Sequence, residues 1–286
     1  MMRVEMLIVD PQNDFCIGDD GHGNLGALVV PGADEDMKRL AAMIDRLGKK
    51  LTDIHVTLDS HRLIDISHPK WWRRVGDGMP PDPFTLLGMD GDKIVALDPA
   101  NWMAPTATEY TTYVPSFLDK SRQYLAALAD GGRYPHCIWP PHCLIGSWGH
   151  NVTPELFAAL QNWEDTEFAQ TDYVTKGSNP WTEHFSGVKA EVPDPADPES
   201  QINTRLIQTL EDADIVVIAG EAASHCVRHT CLDIVHCFSD PAYAKKMVIL
   251  KDCTSAVTGF EKEAANLFTE MEKFGAQVLD SVSFLA

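Results

Sequence analysis

One thiol, two carboxylates, an ammonium and two imidazoles stand where short apolar runs of this chain end, a set able to carry out nucleophilic chemistry beside a metal ion. Asp10 closes the run Val4 to Val9, Asp59 and His61 follow Leu51 to Thr57, and His142 follows His136 to Trp139. Lys176 closes Phe168 to Thr175, and Cys226 comes a short turn after Ile215 to Ala219. Ligands of open parallel sheets bind outside the carboxyl ends of the strands, so these positions share one rim. The rim then holds a base, metal ligands, a cation and a nucleophile. Each residue alone has a plainer reading: Asp10 and Asp59 as turn or helix caps, Cys226 as a small buried helix residue. Their coincidence on one edge is what argues for chemistry.

Cys226 lies in Ala219-Gly220-Glu221-Ala222-Ala223-Ser224-His225-Cys226-Val227, which reads as a strand, a glycine turn and a helix start. Unpaired N–H groups and the positive end of the helix dipole favour a thiolate there. Cys16, Cys143, Cys231 and His225 are weaker rivals for the same roles. Asp59 and His61, two apart at a strand end, project to the same face. A carboxylate and an imidazole so placed suit a divalent metal, and a hydrogen-bonded pair without metal is the alternative. His142, between Pro141 and Cys143 in a rigid turn, is the candidate third ligand.

The elements that must position these groups alternate. Helical candidates Asp34 to Arg46, Pro154 to Trp163, Thr204 to Asp212, Cys226 to Val235 and Glu261 to Phe274 fall between or after the apolar runs, of which Met247 to Leu250 is the sixth. Such alternation predicts an α/β fold: a doubly wound, mostly parallel six-stranded sheet with helices on both faces. A seventh run, Gln277 to Leu279, is a candidate to close the sheet. The segment 62–134 breaks the rhythm with clusters of Pro, Gly and Trp and one good helical stretch, Ser116 to Leu128. It reads as an insertion into a single domain spanning 1–286. Its Trp71, Trp72, Phe84 and Trp102 should pack over the site mouth or an oligomer interface. Gly177 to Ser200 reads as a long loop, and there is no internal repeat.

With 286 residues and 44% hydrophobic composition, the chain can bury a substantial core. A formal net charge of -19 argues against nucleic acid or anionic membrane as partners. No apolar stretch reaches the length of a membrane span, and the start runs straight into a strand pattern, so a cytoplasmic protein is expected. The seven cysteines are irregularly spaced without a Cys-x-x-Cys pair, which speaks against a structural zinc site or a disulfide framework.

Three separated motifs then resemble the nicotinamidase/pyrazinamidase branch of the isochorismatase-like cysteine hydrolases. They are Leu7-Ile8-Val9-Asp10-Pro11-Gln12-Asn13-Asp14-Phe15-Cys16, Trp139-Pro140-Pro141-His142-Cys143-Leu144-Ile145-Gly146 and Gly220-Glu221-Ala222-Ala223-Ser224-His225-Cys226-Val227-Arg228, with Lys176-Gly177 between the last two. The resemblance implies the isochorismatase-like hydrolase fold and a triad of Cys226 as nucleophile, Asp10 as base and Lys176 beside both. It further implies an oxyanion hole from the N–H groups of Ala222 and Cys226, and a cis peptide between Glu221 and Ala222. The substrate ring would lie between Phe15 and Trp139. Its nitrogen would meet one divalent metal, zinc foremost, with iron or manganese as alternatives, held by Asp59, His61 and His142.

His68 is a further candidate ligand, offset by one residue from the position some members use. Glu221 departs from the usual aliphatic residue, so either the pocket has a different polar preference or its carboxylate points away. The implied reaction converts nicotinamide to nicotinate and ammonia through a thioester. The rivals are hydrolysis of another small amide or ureido compound and a non-catalytic metal-binding protein of the same fold. The implied partner is a small-molecule amide, and a homo-oligomer is expected.

Overall fold

The computed structural model describes residues 2–286. In chain order its strands and helices are β1 (Val4–Val9), α1 (Asn13–Cys16), α2 (Ala33–Leu47), β2 (Asp53–Asp59), β3 (Trp72–Arg74), β4 (Leu86–Asp90), β5 (Lys93–Asp98), β6 (Asn101–Thr112), α3 (Leu118–Asp130), β7 (His136–Cys137), α4 (Pro154–Glu167), β8 (Asp172–Lys176), α5 (Thr204–Glu211), β9 (Ile215–Gly220), α6 (Cys226–Cys237), β10 (Met247–Leu250), α7 (Glu261–Phe274) and β11 (Gln277–Leu279).

Apart from Glu5 in β1, strands β1, β9 and β10 are apolar runs without an exposed residue, as strands covered on both faces must be. The helices between them show one apolar stripe each. In α2, Met37, Leu40, Ala41 and Ile44 are buried at helical spacing. Asp34, Glu35 and Asp36 in its first turn and Arg46 in its last suit the helix dipole.

Six parallel strands pair in the order β11-β10-β9-β1-β2-β8. From β1 the chain winds outward through β2 to β8, and from β9 it winds outward the other way through β10 to β11. Right-handed crossovers therefore put α2 and α4 on one face and α6 and α7 on the other, and within each pair the helices pack on each other. The winding reverses between β1 and β9, which makes the crevice at their carboxyl ends the place for a ligand.

Two expectations need correction. His136 to Trp139 does not enter the parallel sheet; only His136–Cys137 is strand, and it pairs antiparallel with Leu86 and Leu87. Its place among the six is taken by β11. The two-residue strand runs into Pro140 and Pro141, which supply no N–H to extend a ladder. The segment 62–134 is also not irregular: it supplies four strands of a second, antiparallel sheet ordered β3-β6-β5-β4-β7. This sheet has a core of its own, with Trp71, Trp72, Leu87, Ile94 and Tyr124 buried together.

The loop between β8 and α5 holds only the short 3-10 turn Pro198–Ser200. Among the described residues, no helix is long and apolar enough to cross a membrane.

Candidate active site

Asp10 leaves β1 in the left-handed region, φ 45°, a conformation aspartate tolerates better than most residues. Its N–H donates to Thr57 Oγ1 at 3.0 Å, and the Thr57 hydroxyl donates back to Asp10 Oδ1 at 2.6 Å. The Gln12 side chain clamps the end of β2: its Oε1 accepts from the Asp59 N–H at 2.7 Å and its Nε2 donates to the Asp59 carbonyl at 2.8 Å. Gly220 turns β9 against Val9 so closely that a Cβ would lie 2.5 Å from the Val9 nitrogen, at φ 110°. Only glycine fits there.

Beyond that turn the Glu221–Ala222 peptide is cis, and Cys226 opens α6. The N–H groups of His225 and Val227 both donate to the Ala222 carbonyl. Those of Ala222 and Cys226 have no protein acceptor among the described residues.

Lys176 Nζ sits 2.8 Å from Asp10 Oδ2, 3.0 Å from Asp59 Oδ1, 2.9 Å from the His184 carbonyl and 3.7 Å from Cys226 Sγ. Burial disfavours its charge, but Asp10 and Asp59 outweigh burial and hold the ammonium well above its usual pKa. The two carboxylates then diverge. Burial raises Asp10 even against the pull of Lys176. For Asp59, His61 and Lys176 overcome burial and hold it well below the usual range.

Burial also pushes the Cys226 thiol well up; Lys176 opposes this, while a hydrogen bond to Asp10 adds to it. The helix end was expected to favour the thiolate. Desolvation acts the other way and is the larger effect on the thiol.

Asp59 reaches His61 Nε2 at 3.0 Å and His142 Nε2 at 3.4 Å through Oδ2, and one ligand atom from each of the three lies within 4.8 Å of the others. The His142 Nδ1–H donates to the Pro140 carbonyl at 2.8 Å, and His61 Nδ1 meets Asp65 Oδ2 at 3.2 Å. Each ring thus turns Nε2 inward with the opposite nitrogen tied to an acceptor, the arrangement that orients metal-binding imidazoles. The donor set fits a divalent cation with open positions. Burial disfavours charge on His61, but Asp59 and Asp65 outweigh it and raise the imidazole well above its ordinary value. His68 has the same build, with Nδ1 on the Arg62 carbonyl at 3.0 Å and a buried Nε2 without a partner. Its ring centroid lies 5.2 Å from that of His61 and 5.5 Å from that of His142.

Phe15, Trp139 and Phe185 wall a cavity over Cys226, with Asp59, His142, Glu183 and His225 as its polar lining. Its volume is about 30 Å³, below the ~300 Å³ lower end of ordinary small-molecule sites. From the inserted segment, Phe84 stands edge-on to Trp139 at 5.7 Å and Trp102 edge-on to Tyr134 at 5.4 Å. Trp71 and Trp72 instead serve the second core.

Glu221 turns away from the cavity. Its Oε2 accepts from the Ser255 N–H at 3.1 Å, and burial beside Asp36 pushes the carboxyl well above the usual carboxylate range. Cys16, Cys143 and Cys231 are buried and their thiols are raised by desolvation. None has the partners of Cys226.

Sequence reasoning missed Thr57, Gln12, Glu183, His184 and Phe185. Gln12 stood inside a quoted motif, which was its signal. The other loop residues had none, because Glu183, His184 and Phe185 reach the site through the path of a loop. Glu183 is raised to about 7 by burial, and its Oε2 has no partner.

No profile of a known protein family matches the chain. It is 25% identical over 273 residues to the nicotinamidase of Escherichia coli strain K12, covering 95% of this chain and 92% of that one. The yeast nicotinamidase superposes with a TM-score of 0.60 at 18% identity, over 97% of this chain and 99% of its own. A zinc complex of the pyrazinamidase of Pyrococcus horikoshii gives 0.51 at 18% identity, over 97% and 99%.

Proposed function

We propose, from the premise that this chain is a nicotinamidase-related amidohydrolase of the isochorismatase-like fold, that it hydrolyses nicotinamide to nicotinate and ammonia through a thioester on Cys226. The observation that carries the reading is Lys176 Nζ lying between Asp10 and Asp59 with Cys226 Sγ 3.7 Å away, at the point where the sheet reverses its winding.

Asp10 takes the thiol proton as Sγ bonds to the amide carbon, and the carbonyl electrons move onto oxygen. The free N–H groups of Ala222 and Cys226 receive that oxyanion. As the tetrahedral adduct collapses, the C–N bond breaks and Asp10 returns its proton to the nitrogen, releasing ammonia. Water then adds to the thioester with Asp10 again as base, and C–S cleavage frees the acid and restores the thiol. Lys176 stays charged throughout, which keeps Asp10 able to act as a base despite its burial.

Phe15 and Trp139 hold the ring by its faces. Asp59, His61 and His142, with His68 a further candidate, would hold one divalent metal whose Lewis acidity grips the ring nitrogen. Zinc is the first choice from the donor set and the zinc-bound neighbour. Burial of Glu221 away from the cavity supports an ordinary aromatic amide over a substrate with a different polar head.

The test is ammonia release from nicotinamide, pyrazinamide and a ureido compound. We expect turnover of the first two. Turnover of the ureido compound alone would replace this reading with the neighbouring one, and no turnover with metal supplied would leave a binding protein.

A further inference from the structure

Residues 182–188 form no regular element, yet every one of them is buried. A buried loop cannot leave its backbone to water, so its path must be held by partners from the rest of the molecule. On one side those partners belong to the site. The His184 carbonyl accepts from Lys176 Nζ at 2.9 Å, His184 Nδ1 accepts from the Gly177 N–H at 3.2 Å, and Phe185 walls the cavity. An ammonium has three protons to donate, and Asp10, Asp59 and the His184 carbonyl stand within 3.0 Å of this one. The two carboxylates are fixed at strand ends. The carbonyl is carried by the loop alone.

The other side of the loop rests on the inserted segment. Trp181 enters a slot of aromatic rings, perpendicular to Trp71 at 4.8 Å and tilted to Phe117 at 4.7 Å between centroids. Lys120 of α3 stands 4.4 Å over the Trp181 ring and reaches Asp194 Oδ2 at 2.9 Å. The Ile66 N–H donates to the Pro180 carbonyl at 2.9 Å, and the Glu183 N–H to the Tyr124 hydroxyl at 3.4 Å. The loop then turns back on itself, with the Glu191 N–H on the Glu183 carbonyl at 2.9 Å. Trp181, three residues before His184, is thus the anchor nearest the carbonyl that Lys176 uses.

We propose that Trp181 is a positioning residue: held in the slot of the inserted segment, it fixes the loop so that the His184 carbonyl stays on Lys176 and Phe185 stays over Cys226. The inserted segment thereby acts on the reaction through a side chain that does not line the cavity. This deepens the proposed function and rests on it.

Two measurements test it. Deuterium exchange of the intact protein reads the anchor without any turnover: Trp181→Ala should speed exchange across residues 177–185 and leave β1 and β9 as protected as in the wild type. In kinetics the same variant should lose roughly 10²-fold in kcat for nicotinamide, the cost of displacing a reacting group by about 1 Å. Trp181→Phe, which keeps a ring in the slot, should recover most of that loss. Lys120→Glu takes the cation off the Trp181 ring and sets a carboxylate against Asp194; from its exposed position on α3 it should act in the same direction on exchange and on kcat, by a smaller factor, and it carries the test if Trp181→Ala does not fold. Unchanged exchange at 177–185, a folded Trp181→Ala with wild-type kcat, or a loss that Trp181→Phe shares in full overturns the proposal and leaves the hydrolase reading intact. A wild type that turns over neither nicotinamide nor pyrazinamide removes the hydrolase reading and takes the proposal with it.

Discussion

The three strands β1, β2 and β8 carry two charge clusters of the same make-up, one at each end. At the carboxyl end Asp10 and Asp59 share the cation of Lys176. At the amino end Glu5 and Asp172 share His55, whose Nε2 and Nδ1 each lie 2.9 Å from a carboxylate. The amino-end cluster even borders the larger opening, a surface depression of about 1000 Å³. What separates the two is satisfaction. Arg3 reaches Glu5 and Arg205 reaches Asp172, and Glu5, His55 and Asp172 leave no buried polar atom without a partner. Around Lys176 the N–H groups of Ala222 and Cys226, Glu183 Oε2 and His68 Nε2 are all open. A charge cluster closed on itself stabilises a sheet; one that leaves donors and acceptors converging on a cavity is built for a guest.

The sharpest way to break this contrast is to remove the one group the amino end has no counterpart for. Cys226→Ala should lower amide turnover by roughly 10⁴-fold with the melting transition retained. Activity near wild type would transfer the nucleophile to Cys16 or Cys143 and dissolve the contrast.

Lys176→Met should act on both rate and stability. It leaves Asp10 and Asp59 buried without their cation, a loss of about 3–5 kcal/mol when one partner of a buried pair is removed. Asp10→Asn, by contrast, should slow the reaction ~10²–10⁴-fold and cost less stability, because it removes a carboxylate and leaves Lys176 paired with Asp59. Urea unfolding beside ammonia release reads the two effects separately. A Lys176→Met enzyme with near-normal turnover would end the triad assignment.

How much of this could be read beforehand differs between the two sheets. Asp10, Asp59 and Lys176 were legible because each stands at the end of an apolar run, and Cys226 because a short glycine turn brings it back to the same rim. The inserted strands were not legible. Gly88 in β4 and Pro105 in β6 interrupt the alternation that marks a strand, and the pairing of β5 with β6 shifts register after Val95. One local signal was there to be used: Asp90 pairs with Lys93 across the two-residue turn Gly91-Asp92, a hairpin pattern. The upward push on the Cys226 thiol was beyond sequence, since it comes from burial, which only the packed structure supplies.

The metal positions offer a smaller effect. Stripping the ion with a chelator should raise the Michaelis constant for nicotinamide more than it slows benzamide, which lacks a ring nitrogen. Asp65→Asn, which loosens the partner of His61 Nδ1, should weaken metal affinity about 10–100-fold, read by titration of zinc into the stripped protein. A preparation shown metal-free by elemental analysis that binds and turns over nicotinamide normally would remove the metal from the site.

The smallest effect is expected at the amino end, where the contrast demands a change in stability without one in turnover. His55→Gln should leave kcat/KM unaltered and destabilise the fold by about 1–3 kcal/mol, the worth of hydrogen bonds to charged groups. Burial opposes the charge on His55, but Glu5 and Asp172 outweigh it and raise the imidazolium above its ordinary value of 6.5. A group raised on folding stabilises fully below its unfolded pKa, and that stabilisation is lost as pH climbs through the folded value. The stability gap between wild type and His55→Gln should therefore be wider at pH 6 than at pH 9. A gap that grows with pH would mean that His55 is neutral in the folded state, and a parallel fall in kcat/KM would mean that the two ends of the sheet are coupled and the amino-end cluster is not merely structural.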